Sequence, residues 1–88
     1  MKPEVLIVDD EEAARYGMSR ALEKEGYHIL EAGTLDQARQ ALDRFDPKAV
    51  LLDMKLNQES GINFLPELMS RRLPPAVVVV TAHGTERM

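Results

Sequence analysis

Eighty-eight residues suffice for one modest hydrophobic core but not for two domains, and 44% hydrophobic with 30% charged residues is the composition of an ordinary soluble globular chain. A formal charge of -4 speaks against gripping nucleic acid directly, because such modules carry a basic stripe to neutralise phosphates, and the lack of cysteine removes disulfides and thiolate metal sites. Met1-Lys2-Pro3-Glu4 leads into a short apolar run closed by acids, which suits neither a signal peptide nor a membrane span, so the expected location is the cytoplasm with no membrane contact.

Val5-Leu6-Ile7-Val8 is a β-branched apolar run ending in Asp9-Asp10-Glu11-Glu12, the pattern of a short buried parallel strand. Ala14, Met18, Ala21 and Leu22 then share one helical face, and Gly26 stands where a left-handed stop belongs. Tyr27 to Ala32, bounded by Gly26 and Gly33, is expected as a strand nearer the sheet edge. Thr34-Leu35-Asp36-Gln37 is a capping box opening a second helix, with Leu35, Ala38, Ala41, Leu42 and Phe45 as its apolar face and Asp46-Pro47 as its stop. Ala49-Val50-Leu51-Leu52 has no alternation, so it is expected as a strand buried on both faces, and it ends in Asp53.

Phe64, Leu65, Leu68 and Met69 predict a third helix that either starts near Asn63 or is distorted at Pro66; Arg71-Arg72 are expected to complement its carboxyl end. Leu73-Pro74-Pro75 breaks the chain before the strand Ala76 to Val80, which runs into Thr81-Ala82-His83-Gly84. The five methionines are expected as core filler, and His28 as an ordinary strand residue without metal-ligand companions.

Strands alternating with helices imply an α/β fold, a doubly wound parallel sheet. If the first connection crosses one face and the later ones the other, the strand order becomes 2-1-3-4. Strands one and three are then neighbours at the switch point, where open α/β sheets bind ligands. That order brings Asp9, Asp10 and Asp53 together although more than forty positions separate them, with Thr81 one strand further along the same rim. Asp9 and Asp10 alone read equally well as caps of the first helix; it is the convergence with Asp53 that favours a site.

Two ionised carboxylates at 4 Å repel by about 4 kcal/mol at an effective dielectric near 20. A divalent hard cation removes the conflict, and an all-oxygen set with room for water and a phosphoryl oxygen suits Mg2+ better than zinc. Such an ion would let a phosphoryl group approach Asp53 for in-line attack, giving an aspartyl phosphate that the Thr81 hydroxyl is placed to hydrogen-bond.

The Asp9-Asp10 pair, the Leu51-Leu52-Asp53 strand end with Gly61 eight residues on, and Thr81-Ala82 together resemble the receiver domain of bacterial two-component response regulators, over the whole chain. The resemblance implies a flavodoxin-like fold, Asp53 as phosphoacceptor, and Asp10, Asp53 and the Lys55 backbone carbonyl as direct Mg2+ ligands. Asp9 would act through metal-bound water and Thr81 as the switch hydroxyl, while the Lys55 and His83 side chains would modulate the lifetime of the phosphate. The implied donor is a sensor histidine kinase or a small acyl phosphate, the chain being a phosphoacceptor and not a turnover enzyme. Strand order 2-1-3-4 is also the family's own, so that expectation and the resemblance are not independent.

Thr81-Ala82-His83-Gly84 further resembles receivers attached to AAA+ transcription activators, which places any DNA-binding output domain outside the chain. Asn57 stands where the family commonly has proline, and the family continues through a fourth helix, a fifth strand ending in a lysine, and a fifth helix. An 88-residue chain is expected to lack that portion and to leave its fourth strand as an exposed edge inviting a dimer or an exchange of elements. Two further readings compete. One is a degenerate receiver-like interaction module that is not phosphorylated; the other is a haloacid-dehalogenase-like phosphohydrolase, disfavoured because Lys55 occupies the place of its second aspartate.

Overall fold

The computed structural model describes residues 2–56 and 59–80. Its elements are β1 Glu4–Val8, α1 Glu12–Lys24, β2 His28–Ala32, α2 Leu35–Arg44, β3 Ala49–Asp53, β4 Lys55–Leu56, β5 Glu59–Ser60, a 3-10 turn Gly61–Phe64, α3 Leu65–Met69 and β6 Ala76–Val80. Four strands form one parallel sheet in the order β2-β1-β3-β6, which is the expected 2-1-3-4 once the separate antiparallel β4-β5 hairpin is set aside. β2 lies at an edge, as its weaker alternation implied.

Side chains alternate along each strand, so β1 and β3 turn Leu6, Val8, Val50 and Leu52 to one face of the sheet, where Leu35, Ala38, Leu42, Phe64 and Leu68 of α2, the 3-10 turn and α3 close over them. Helix α1 packs against β1 and β2 on the opposite face. The expectation that β3 is buried on both faces needs correction: Val50 and Leu52 are fully buried, while Ala49 and Leu51 are half-buried. The reason is coverage, because among the described residues α1 packs over β1 and β2 and not over the β3–β6 side of that face. In β6, Ala76 and Val78, the register partners of Ala49 and Leu51, are exposed on that face, and Val79, on the other face beside Leu52, is exposed as well.

The expected α1 face also shifts. Ala14, Met18 and Leu22 are half-buried and Ala21 is exposed, whereas Ser19 is the buried residue; a small polar side chain at the point of closest approach carries no signal in an apolar periodicity. The helix ends as Gly26 predicted: its φ is 97°, Gly26 N–H donates to Glu23 O and Tyr27 N–H to Leu22 O, a Schellman closure.

At the start of α2, Gln37 N–H donates to Thr34 Oγ1 at 3.1 Å, while Gln37 Oε1 accepts from Gly33 N–H at 2.7 Å, one residue earlier than a standard capping box. At its other end the structure corrects the role of Arg71, which serves α2 and not its own helix: Nη2 donates to Leu42 O at 3.1 Å and to Asp46 Oδ1 at 2.9 Å. The last carbonyls of α2 lack intrahelical partners and attract the nearest long cation, whichever element supplies it.

Pro66 falls in the first turn of α3, where its missing N–H breaks no bond, because the 3-10 turn takes up the preceding residues. Arg39 Nε to Glu67 Oε2, at 2.8 Å, ties α2 to α3, and that hydrogen bond is the first cause holding the guanidinium above its ordinary pKa. The methionines are not core filler where they are described: Met18 is half-buried, Met54 and Met69 are exposed, and the core is Leu, Val, Ile, Ala and Phe. Phe45, expected on the α2 face, lies past the helix end and is exposed.

Candidate functional site

Val8 and Leu52 are register partners on adjacent parallel strands, so the residues that follow them, Asp9-Asp10 and Asp53, leave the same rim of the sheet side by side. Asp9 extends β1 by one more bond, its N–H donating to Ala32 O at 3.0 Å, and Met54 N–H does the same from β3 toward Val80 O at 3.1 Å. Asp9, Asp10 and Asp53 each offer a carboxylate oxygen within 4.8 Å of the others. Asp9 is only 7% exposed, and Asp10 and Asp53 are half-buried.

The N-cap position of α1 is neither aspartate but Glu11, which makes no side-chain cap bond. Asp9 Oδ1 instead accepts from Glu11 N–H at 2.9 Å, fastening the turn between strand and helix. Three hard carboxylate oxygens within 4.8 Å fit one oxygen-liganded cation, whose opposed ligands stand about 4 Å apart for Mg2+ and about 5 Å apart for Ca2+. Nothing in the set is a soft ligand, so the donor chemistry suits Mg2+ and not a thiolate-seeking metal.

After Asp53 the chain cannot run straight on. Met54 leads into β4, the hairpin returns as β5, and Gly61 N–H donates to Met54 O at 2.7 Å, closing the loop against the end of β3. Leu56 in that loop is fully buried in the core cluster, a placement that the sequence reading, which ended the apolar run at Asp53, did not include. The Lys55 backbone follows β3 as the first residue of β4, while its side chain, Thr81, His83 and Asn57 all lie outside what is described.

Arg15 was missed altogether. It reads in sequence as one more charge on the solvated side of an amphipathic helix, yet its side chain is only 19% exposed. Nη1 donates to Asp9 O at 2.7 Å and Nε to Glu31 Oε1 at 3.0 Å. No single-sequence signal marks such a residue, because its partners come from other elements.

Comparison with known proteins decides the family, since residues 5–88 match the response regulator receiver domain. The chain belongs to that family. A positive alginate biosynthesis regulatory protein of Pseudomonas aeruginosa is 39% identical over 82 residues, covering 90% of this chain and 33% of the relative. Sporulation initiation phosphotransferase F of Bacillus subtilis is 33% identical over 84 residues, covering 96% of this chain and 68% of the relative. The receiver domain of a Luxo repressor protein from Vibrio parahaemolyticus superposes with a TM-score of 0.84 at 30% identity, covering 97% of this chain and 65% of that one. This receiver therefore spans about a third of the alginate regulator's length. As a response regulator receiver domain it is a module of two-component signalling, and no helix among its described residues is long and apolar enough to cross a membrane.

Proposed function

We propose that this receiver is the phosphoacceptor part of a response regulator, taking a phosphoryl group on Asp53 from a sensor histidine kinase, with Mg2+ held by Asp10, Asp53 and the Lys55 carbonyl and, through water, by Asp9. The observation that carries the reading is the meeting of three carboxylates from two separated strand ends within 4.8 Å. Family membership supports it independently of the site geometry. Mg2+, when bound, would supply the positive charge that an anionic phosphoryl donor needs in order to approach such a cluster.

The chain's own part is positioning. β1 and β3, hydrogen-bonded neighbours with buried apolar runs, present the aspartates with little freedom to reorganise. An Asp53 oxygen forms a bond to phosphorus as the bond from phosphorus to the donor's imidazole nitrogen breaks, and the departing nitrogen keeps that electron pair. The Thr81 hydroxyl would donate a hydrogen bond to a new phosphoryl oxygen and so report the modification, with Lys55 and His83 tuning its hydrolysis. The receiver's part is that of a phosphoacceptor, and any transcriptional output would be read out by a separate domain.

Incubation with acetyl phosphate and Mg2+ is expected to add the mass of one phosphoryl group, and the gain is expected to vanish in Asp53→Asn and after chelation. A gain retained by Asp53→Asn removes the assignment. No gain in the parent, together with partner binding indifferent to Mg2+, favours the unphosphorylated interaction module instead.

We also infer that the exposed β6 strand supports pairing between copies, since Val78 and Val79 end the described sheet without a charge to discourage an added strand. Sedimentation velocity is expected to show concentration-dependent dimer, reduced by Val78→Lys. A monomer at all concentrations would end that inference.

A further inference from the structure

Both polar groups of the Asp9 backbone are taken, one by β2 directly and one by Arg15 of α1. The Asp9 N–H donates to Ala32 O at 3.0 Å and its carbonyl accepts from Arg15 Nη1 at 2.7 Å, while the side-chain Oδ1 accepts from Glu11 N–H at 2.9 Å. Arg15 in turn is held by Glu31 Oε1 at 3.0 Å, from β2. The guanidinium thus spans from the loop carrying two of the clustered acids to the edge strand. Its path runs directly over Gly33, where a Cβ would stand 3.0 Å from Arg15 Nη1 and 3.7 Å from Cζ, so the glycine leaves room for the arginine.

We propose that Arg15, braced by Glu31 and admitted by Gly33, is a positioning residue for the metal site, fixing the Asp9 peptide so that the Asp9 and Asp10 carboxylates are aimed before an ion arrives. The proposal rests on the Mg2+ reading given above. A planar guanidinium can donate to a carbonyl and a carboxylate at once in fixed directions, whereas an ammonium is a point charge on a flexible stem. Outer groups that orient metal ligands in this way commonly control affinity as strongly as a weak ligand does.

The effect has a sign that separates it from simple electrostatics. A guanidinium beside a cation site disfavours the cation, so removing its charge should by itself tighten Mg2+ binding. Loss of positioning does the opposite. Titration calorimetry of the full chain with MgCl2 is expected to show about tenfold weaker binding in Arg15→Gln, by the usual size of such orienting contacts. Glu31→Gln should weaken it less, and the Arg15→Gln, Glu31→Gln double variant should lose less than the sum, because the two residues act as one unit.

Arg15→Lys keeps the charge without the fork and should fall between the parent and Arg15→Gln. Gly33→Ala changes no charge, crowds Nη1 and is also expected to weaken Mg2+; it decides the matter if Arg15→Gln does not fold. Urea unfolding without Mg2+ runs alongside, because a merely structural role lowers the midpoint and leaves the Kd of the folded chain unmoved. Mg2+ binding that is unchanged or tighter in both Arg15→Gln and Gly33→Ala, with the parent binding normally, overturns the positioning role alone. A parent that takes up no Mg2+ overturns the metal reading, and this inference with it.

Discussion

Gly61→Ala is expected to destabilise the receiver by about 3 kcal/mol, the upper part of the usual range for forcing a methyl group into a packed site. The site is backbone on backbone. A Cβ at Gly61 would fall far inside van der Waals contact of the Asp53 carbonyl oxygen and 3.0 Å from the Asp53 carbonyl carbon, and Leu52 Cδ1 lies 3.4 Å away. Gly61 is itself buried, and its N–H is committed to Met54 O, so neither side can step aside without breaking the loop closure or bending the end of β3. The positive-φ argument that explains Gly26 has no part here; the requirement is proximity alone.

Because the obstructed group is the peptide of Asp53, the same substitution should weaken Mg2+ binding in whatever fraction stays folded, about tenfold or more by the usual sensitivity of ligand orientation. Urea unfolding and Mg2+ calorimetry check the two halves separately. Gly17→Ala is the matched control: it lies in α1 with nothing within 4 Å of the added methyl, and is expected to stabilise by about 0.5–1 kcal/mol. A Gly61→Ala chain as stable as the parent would mean that the β3 end yields easily, and the rigidity argument for Asp53 would lose its footing.

The strand order and the meeting of the acids were legible because they depend on features a single sequence carries openly. Apolar runs after Pro3 and Pro47 end abruptly in aspartate, and three short helical connections admit few right-handed arrangements, among which the family resemblance also pointed to this one. Less could be read where partners decide the outcome. Arg71 and Arg15 were both visible as cations near helices, yet each serves a carbonyl on another element, and nothing local distinguishes that from a solvated charge. Burial failed in the same way: Ala21, Met69 and Leu51 are more exposed than periodicity suggests because periodicity reports which side faces the sheet, not whether anything completes the layer there. Leu56 was hidden for the converse reason, since a two-residue strand is too short to show a period.

Phe64→Ala is expected to cost about 3–5 kcal/mol, as large a loss as any single substitution in this core, against the 5–15 kcal/mol of typical native domains. Phe64 is 1% exposed and heads the fully buried side chains by volume. It stands at the junction of the 3-10 turn and α3, and packs in the cluster with Leu52, Leu56 and Leu68. Removing the ring therefore leaves a cavity where three elements meet, and α3, only five residues long, has little propensity of its own with which to hold position. The Arg39 guanidinium, 5.4 Å from the ring centroid, makes only a solvent-screened cation–π contact, so Arg39→Met should retain most of the stability that Phe64→Ala loses. Phe64→Leu keeps the site apolar and should cost about 1.5 kcal/mol. The clustered aspartates sit at the ends of β1 and β3, upstream of this junction, so on the proposed Mg2+ reading affinity in Phe64→Leu should match the parent even as the urea midpoint falls. Gly61 and Phe64, three positions apart, would then separate aim from anchorage: one substitution disturbs the direction of Asp53, the other only the weight holding the loop down. Equal losses of Mg2+ affinity in the two variants would show instead that the loop and the site move as one body.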